Sequence, residues 1–138
     1  MVITEKINIK TKGECDVIDI TSDVRRIVSQ SKIESGTVTV FISGSTAGVT
    51  TIEYEPGVVS DFKAMWDRVV PRDMQYKHDQ RWGDGNGYSH VRASALGPSL
   101  TVPFSKRALL LGTWQHIVVV DFDNRPRSRE IVLQIIGD

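Results

Sequence analysis

Apolar and polar side chains alternate from the start of the chain. Ile3, Ile7 and Ile9 stand at odd positions among Thr4, Lys6, Asn8 and Lys10, with Glu5 interrupting the apolar row. That two-residue period predicts a half-buried strand. Lys12-Gly13-Glu14 punctuates it, and Val17 to Ile20 reads as a second short strand forming a hairpin with the first. Thr21 or Ser22 is placed to cap a helix, with Asp23 in its electropositive first turn and Val24, Ile27 and Val28 along one face. After Ser35-Gly36 the period returns to two, with Val38, Val40 and Ile42 on one side of a strand.

Pro56-Gly57 marks a turn, and Ser60 is a candidate cap for the strongest helical pattern in the chain. Phe62, Met65, Trp66, Val69 and Val70 share a stripe that Pro71 ends, and such a stripe packs against a sheet. From Asp73 to His90 apolar periodicity fades and polar residues crowd in, which reads as a long functional loop. Strands follow at Val91 to Leu96, Leu100 to Phe104, Leu109 to Leu111, Ile117 to Phe122 and Ile131 to Ile136. Short turns between successive strands predict antiparallel pairing. The expected fold is α+β: a mostly antiparallel sandwich or barrel-like core with two main helices on one side, in a single domain over residues 1–138.

Composition narrows the function. Hydrophobic residues make up 40% and charged residues 25%, an ordinary globular balance. Seventeen basic and seventeen acidic side chains leave no net field to hold a polyphosphate backbone, so nucleic acid is not an expected partner. Arg125, Arg127 and Arg129 form a local basic cluster whose first reading is a solvated loop. Cys15 has no internal disulfide partner, which suits a reducing compartment, and it reads as a small strand residue. No basic stretch followed by an apolar run opens the chain, and no apolar segment approaches the ~20 residues that span a bilayer. A cytoplasmic protein without a membrane partner is expected.

Three clusters carry candidate chemistry. The first holds Tyr76, His78, Asp79, Trp82, Asp84, Asn86, Tyr88 and His90. Its histidines are twelve residues apart around the flexible Gly83-Asp84-Gly85-Asn86-Gly87 turn, and imidazoles with a carboxylate suit zinc and similar ions. By spacing alone, surface or core histidines are the commoner account of such residues. The second is Ser43-Gly44-Ser45-Thr46-Ala47-Gly48, whose small residues and hydroxyls let backbone N–H groups approach an anion, followed by Glu53 as a metal ligand or proton carrier. It lacks the Lys-Ser/Thr pair of a P-loop, and a purely structural turn fits it too. The third is Leu111-Gly112-Thr113-Trp114-Gln115, where Trp114 can stack on a planar heterocycle while Gln115 reads its edge, or can plug a barrel end or subunit seam.

Taken in order, Ser43 to Glu53, Tyr76-Lys77-His78-Asp79, Ser89-His90-Val91-Arg92-Ala93-Ser94, Leu96-Gly97-Pro98-Ser99-Leu100, Leu111 to Gln115 and Pro126-Arg127-Ser128-Arg129 resemble the YjbQ-type family over nearly the whole chain. The family is known as secondary thiamine-phosphate synthases. The resemblance implies an α+β domain assembled as a homotrimer, a pocket near subunit contacts, and a divalent metal, zinc or magnesium. It implies a weak transferase activity joining hydroxymethylpyrimidine diphosphate to a thiazole phosphate, so the expected partner is a small phosphorylated heterocycle. It carries over His78, His90 and Glu53 as metal and catalytic residues, with Asp79 beside them. Ser45, Thr46, Arg92 and Ser94 then suit phosphate, with Asn86, Trp114 and Gln115 completing the substrate contacts. Other branches place a histidine where this chain has Gly44, and close relatives have one in place of Tyr88, so Glu53, Asp79 or water is expected to complete an ion's shell. A binding trimer without turnover and a metal-dependent phosphohydrolase are the rival readings.

Overall fold

Strand β7 (His116–Asp121) has no wet face, and the molecule is layered on either side of it. Ile117 and Val119 point into one apolar core and Val118 and Val120 into another, which is why this run is continuously apolar rather than alternating. The computed structural model describes residues 1–138. The remaining strands are β1 (Val2–Thr11), β2 (Asp16–Asp19), β3 (Gly36–Ile42), β4 (Ala47–Ile52), β5 (Ser99–Ser105), β6 (Ala108–Leu109) and β8 (Arg127–Gly137). They form a five-stranded sheet in the order β1-β8-β3-β5-β6 and a three-stranded sheet in the order β2-β7-β4, with every pair antiparallel.

The first core lies between the two sheets. Val38, Val40 and Ile42 of β3 face it together with Ile131, Leu133 and Ile135 of β8, so the period-two pattern of both strands is a core face. Helix α1 (Thr21–Gln30) adds Val24, Ile27 and Val28. Each such fully buried aliphatic side chain stabilises the fold by about 1.5–3 kcal/mol relative to exposure. The second core lies on the other side of the three-stranded sheet, beneath α2 (Pro56–Val69) and α4 (Gly87–Leu96), with Trp66 set edge-on to Phe122 at 5.0 Å. A short helix, α3 (Lys77–Trp82), precedes α4. The fold is therefore α+β with an antiparallel core, as the periodicity predicts.

Several local expectations change. β2 does not form a hairpin with β1; it pairs with β7 in the other sheet, while β1 pairs with β8. Glu14 and Cys15 both adopt left-handed backbone and Glu14 N–H donates to Asp123 O, so the chain between the strands crosses from one sheet to the other. Cys15 is thus a buried turn residue and not a strand residue. Helix α2 starts at Pro56, four residues before Ser60, because Glu55 caps it by accepting from the N–H groups of Gly57 and Val58 and Pro56 occupies the first turn. The segment 73–90 is not an unstructured loop: it holds α3 and the start of α4. Residues 91–96, expected as a strand, continue α4; its buried side chains Ser89, Arg92 and Ala93 follow helical spacing.

Candidate functional site

The polar cluster of the middle third converges where the C-terminal end of β7 meets the start of α4. Gly83 ends α3 in the left-handed conformation that favours glycine, turning the chain back toward α4. Asp79 Oδ1 accepts from Gly87 N–H at 2.8 Å and ties the two helices together. Ser89 Oγ donates to Phe122 O at 2.6 Å and Asn86 Nδ2 to Asp123 Oδ1 at 3.2 Å, which fixes α4 to the strand end. The result brings His78 and His90 together, with ring centroids 4.4 Å apart and ring planes tilted by 41°.

His78 Nδ1 lies 3.4 Å from Asp84 Oδ1 and 3.5 Å from Asp79 Oδ1, yet it is buried and makes no hydrogen bond. Donor atoms of His78, Asp79 and Asp84 all fall within 4.8 Å of one another, a mixed nitrogen and oxygen set with the chemistry of a divalent ion's ligands. An orphaned buried ring nitrogen within that set is the feature that makes the fit more than an acidic cluster.

His78, Asp84 and His90 form one wall of an open cavity of about 510 Å³. Gly44, Ser45 and Thr46 line it from the β3–β4 turn, and Trp82 stands at its rim, 66% exposed. The opposite wall is a buried charged network. Asp121 and Asp123 are fully buried. Arg129 reaches Asp121 through Nε and Nη2 at 2.8 and 3.0 Å, and its Nη2 donates to Thr46 Oγ1 at 2.5 Å. Thr46 Oγ1 in turn donates to Asp123 Oδ2 at 3.0 Å, and Arg127 Nε donates to the same oxygen at 2.7 Å. Burial alone would raise the Asp123 carboxyl, but hydrogen bonds from Arg127, Asn86, the Asn124 amide and Thr46 outweigh it and hold the group below its ordinary range.

Not every candidate residue reaches this cavity. Glu53 does not: it follows β4 at the end opposite Thr46 and shares a shallow surface pocket with Trp114 and Gln115. Gln115 is engaged there, with Nε2 donating to Thr51 Oγ1 at 3.1 Å and Oε1 accepting from Gly112 N–H at 3.1 Å. Arg92, expected to bind phosphate, is 2% exposed. Its Nε donates to Val70 O and its Nη2 to Asp67, so its guanidinium secures the C-terminal end of α2. Ser94 donates back to His90 O and lines a smaller recess beside Gly44 and Ser45. Tyr88 packs into the second core and donates to Glu14.

The sequence reading missed Asp121, Asp123 and the inward role of Arg127 and Arg129. Arg127 and Arg129 begin β8 instead of lying in a solvated loop. The missed signal is spacing: Asp121 and Asp123 stand two apart, as do Arg127 and Arg129, so each pair shares one side of an extended chain. A second cavity, about 450 Å³ and lined by Val49, Leu96, Leu100 and Leu111 among others, has no titratable side chain in its walls.

Comparison with known proteins agrees with this architecture. Residues 5–138 match the family model described as UPF0047 protein YjbQ-like. A UPF0047 protein of Methanothermobacter thermautotrophicus is 37% identical over 136 residues, covering 99% of this chain and 93% of its own. Among solved structures, a YbjQ-like protein of unknown function from Sulfolobus solfataricus superposes with a TM-score of 0.95 at 30% identity, covering 100% of this chain and 99% of that one. An uncharacterised YjbQ/UPF0047 protein from Clostridium acetobutylicum gives a TM-score of 0.87 at 34% identity, covering 96% and 99% respectively. With the match running through both sheets and the polar cavity, this chain belongs to the UPF0047, YjbQ-like family.

Proposed function

We propose that the cavity between His78 and Arg129 binds a small phosphorylated heterocycle and supports a transferase reaction of the thiamine phosphate synthase type. The carrying observation is the pairing of walls: adjacent imidazoles with two nearby carboxylates on one side, anchored guanidinium groups on the other. In this reading the thiazole nitrogen attacks the methylene carbon of the activated pyrimidine. The carbon–oxygen bond breaks, and pyrophosphate leaves with the electron pair.

His78, Asp79 and Asp84 would hold a divalent ion, and this nitrogen-containing set favours zinc over magnesium. A bound ion supplies charge stabilisation to phosphoryl oxygens. His90, packed against His78, is positioned to donate a proton to the leaving group, while Trp82 at the rim offers a face for ring stacking. Ser45 presents an exposed hydroxyl to the ligand. The homotrimer belongs to the same reading: Leu110 and Trp114 are 59% and 71% exposed and offer apolar surface for a second copy.

The test is incubation of purified protein with hydroxymethylpyrimidine diphosphate and thiazole phosphate, with zinc, with magnesium and with chelator. The expected product is thiamine phosphate, and His90→Ala is expected to slow its formation by about 10²-fold or more with little change in melting temperature. Absence of product under every metal condition overturns the transferase reading. Stoichiometric ligand binding without product assigns the cavity to a binding protein.

A further inference from the structure

Arg127 and Arg129 each have part of the guanidinium committed to the fold and at least one donor nitrogen left over. Arg129 places Nε and Nη2 on Asp121, and Arg127 places Nε on Asp123. A single oxygen, Asp123 Oδ2, lies 2.7 Å from Arg127 Nε and 3.8 Å from Arg129 Nη2, so the two groups stand side by side. Arg129 Nη1 and both terminal nitrogens of Arg127 donate to no protein acceptor, and both residues line the cavity.

Gly44 bears on the same point. Its φ is +138°, and a Cβ built there would stand 2.7 Å from Arg129 Nη1. The missing side chain leaves open the space directly over the free nitrogen. We propose that Arg127 and Arg129 form a paired guanidinium seat for a phosphate group, kept open by Gly44, and that this seat orients the ligand in the cavity.

The chemistry favours phosphate. Arg127 keeps the fork of its two terminal nitrogens and Arg129 adds Nη1 beside it, enough directed donors for the three terminal oxygens of a phosphate, whereas a carboxylate offers two oxygens in one plane. Asp121 and Asp123 offset the two positive charges, so the seat acts through directed donors at short range more than through a net field. Those carboxylates also hold the guanidiniums in place before the ligand arrives, which lowers the ordering cost of binding. The far wall carries Asp84, with Asp79 close behind it, and these carboxylates repel an anion, so the phosphate is directed to the arginine side. The seat rests on the proposed identity of the cavity as the ligand site, but it does not require turnover.

Isothermal titration of the metal-free protein with inorganic pyrophosphate in chelator tests the seat apart from catalysis. Wild type is expected to bind one pyrophosphate per chain. Arg127→Gln and Gly44→Ala are each expected to weaken binding by about tenfold, the loss of one charge-assisted interaction or of access to it. Arg127→Gln leaves Asp123 with Thr46, Asn86 and the Asn124 amide, so its fold is expected to survive. Arg127→Lys, which keeps the charge and loses the fork, is expected to be intermediate and serves if the glutamine variant does not fold. Malonate is expected to bind more weakly than pyrophosphate. No pyrophosphate binding by wild type, wild-type affinity in both Arg127→Gln and Gly44→Ala, or tighter binding of malonate would each overturn the proposal. Failure of thiamine phosphate synthesis with the binding pattern intact removes the transferase and keeps the seat.

Discussion

Arg129 meets Asp121 edge to edge: Nε is 2.8 Å from Oδ2 and Nη2 is 3.0 Å from Oδ1, with both side chains buried. The pair ties β8 in the five-stranded sheet to β7 in the three-stranded sheet, so it crosses the gap between layers. Asp121 also accepts from Thr11 Oγ1 at 2.6 Å and from Asp123 N–H at 3.0 Å, which leaves its charge well satisfied away from water.

Removing one partner alone is therefore costly. Arg129→Met is expected to destabilise the protein by about 3–5 kcal/mol, because Asp121 stays buried without its counter-charge. Arg129→Met combined with Asp121→Leu is expected to recover a large part of the loss. Urea denaturation of the two variants measures this, and a single-variant cost near zero would show that the pair is not buried in solution.

Acid sensitivity follows from Asp19 as well as Asp123. Burial raises Asp19, but the Thr21 hydroxyl and amide and His116 together lower it below the ordinary 3.8. A carboxyl depressed in the folded state contributes stability that is fully present above its unfolded value and lost as pH falls through the folded one. The protein is expected to hold its urea midpoint between pH 7 and about pH 5 and to lose stability steeply below 3.8. Asp19→Asn is expected to flatten part of that acid limb, and an unchanged limb would contradict the assignment.

Cys15 is expected to be inert in the folded protein. Burial pushes its thiol up to about 11, against the opposing pull of Arg92 and Lys63. At pH 8 only roughly one thiol in a thousand is ionised. Iodoacetamide should label Cys15 slowly in native protein and rapidly in urea; equal rates in both would refute the burial.

Metal content separates the two carboxylate sets. With zinc supplied, elemental analysis is expected to find about one ion per chain in wild type and in Glu53→Gln, and little in His78→Ala. Loss of the ion in Glu53→Gln instead would mean that Glu53 reaches the site from outside this chain's cavity.

Much of the fold was legible because one-face burial leaves a period in the residues. Val38, Val40 and Ile42 and the Val24, Ile27 and Val28 stripe both proved to be core faces. Residues 91–96 were misread because a ten-residue helix with buried Ser89 and Arg92 carries a weak apolar stripe. The convergence of His78 and His90 was readable from their flanking turn and from the family resemblance. The buried acids were not, since Asp121 and Asp123 at the end of a valine run look like the start of a solvated turn.

Local periodicity, turn chemistry and composition are near-neighbour properties, so the chain by itself determined most of its element types, its antiparallel α+β class and the stretch where polar groups gather. Which strand pairs with which, and whether a charged residue faces solvent or a counter-charge, depends on groups far apart in the chain. Arg129 and Thr46, which are 83 positions apart, become hydrogen-bond partners only when the sheets close. The same closure sent Arg92 and Glu53 away from the cavity and left Arg127 and Arg129 in its wall, because burying a charge is tolerated only where the packed layers supply its partner.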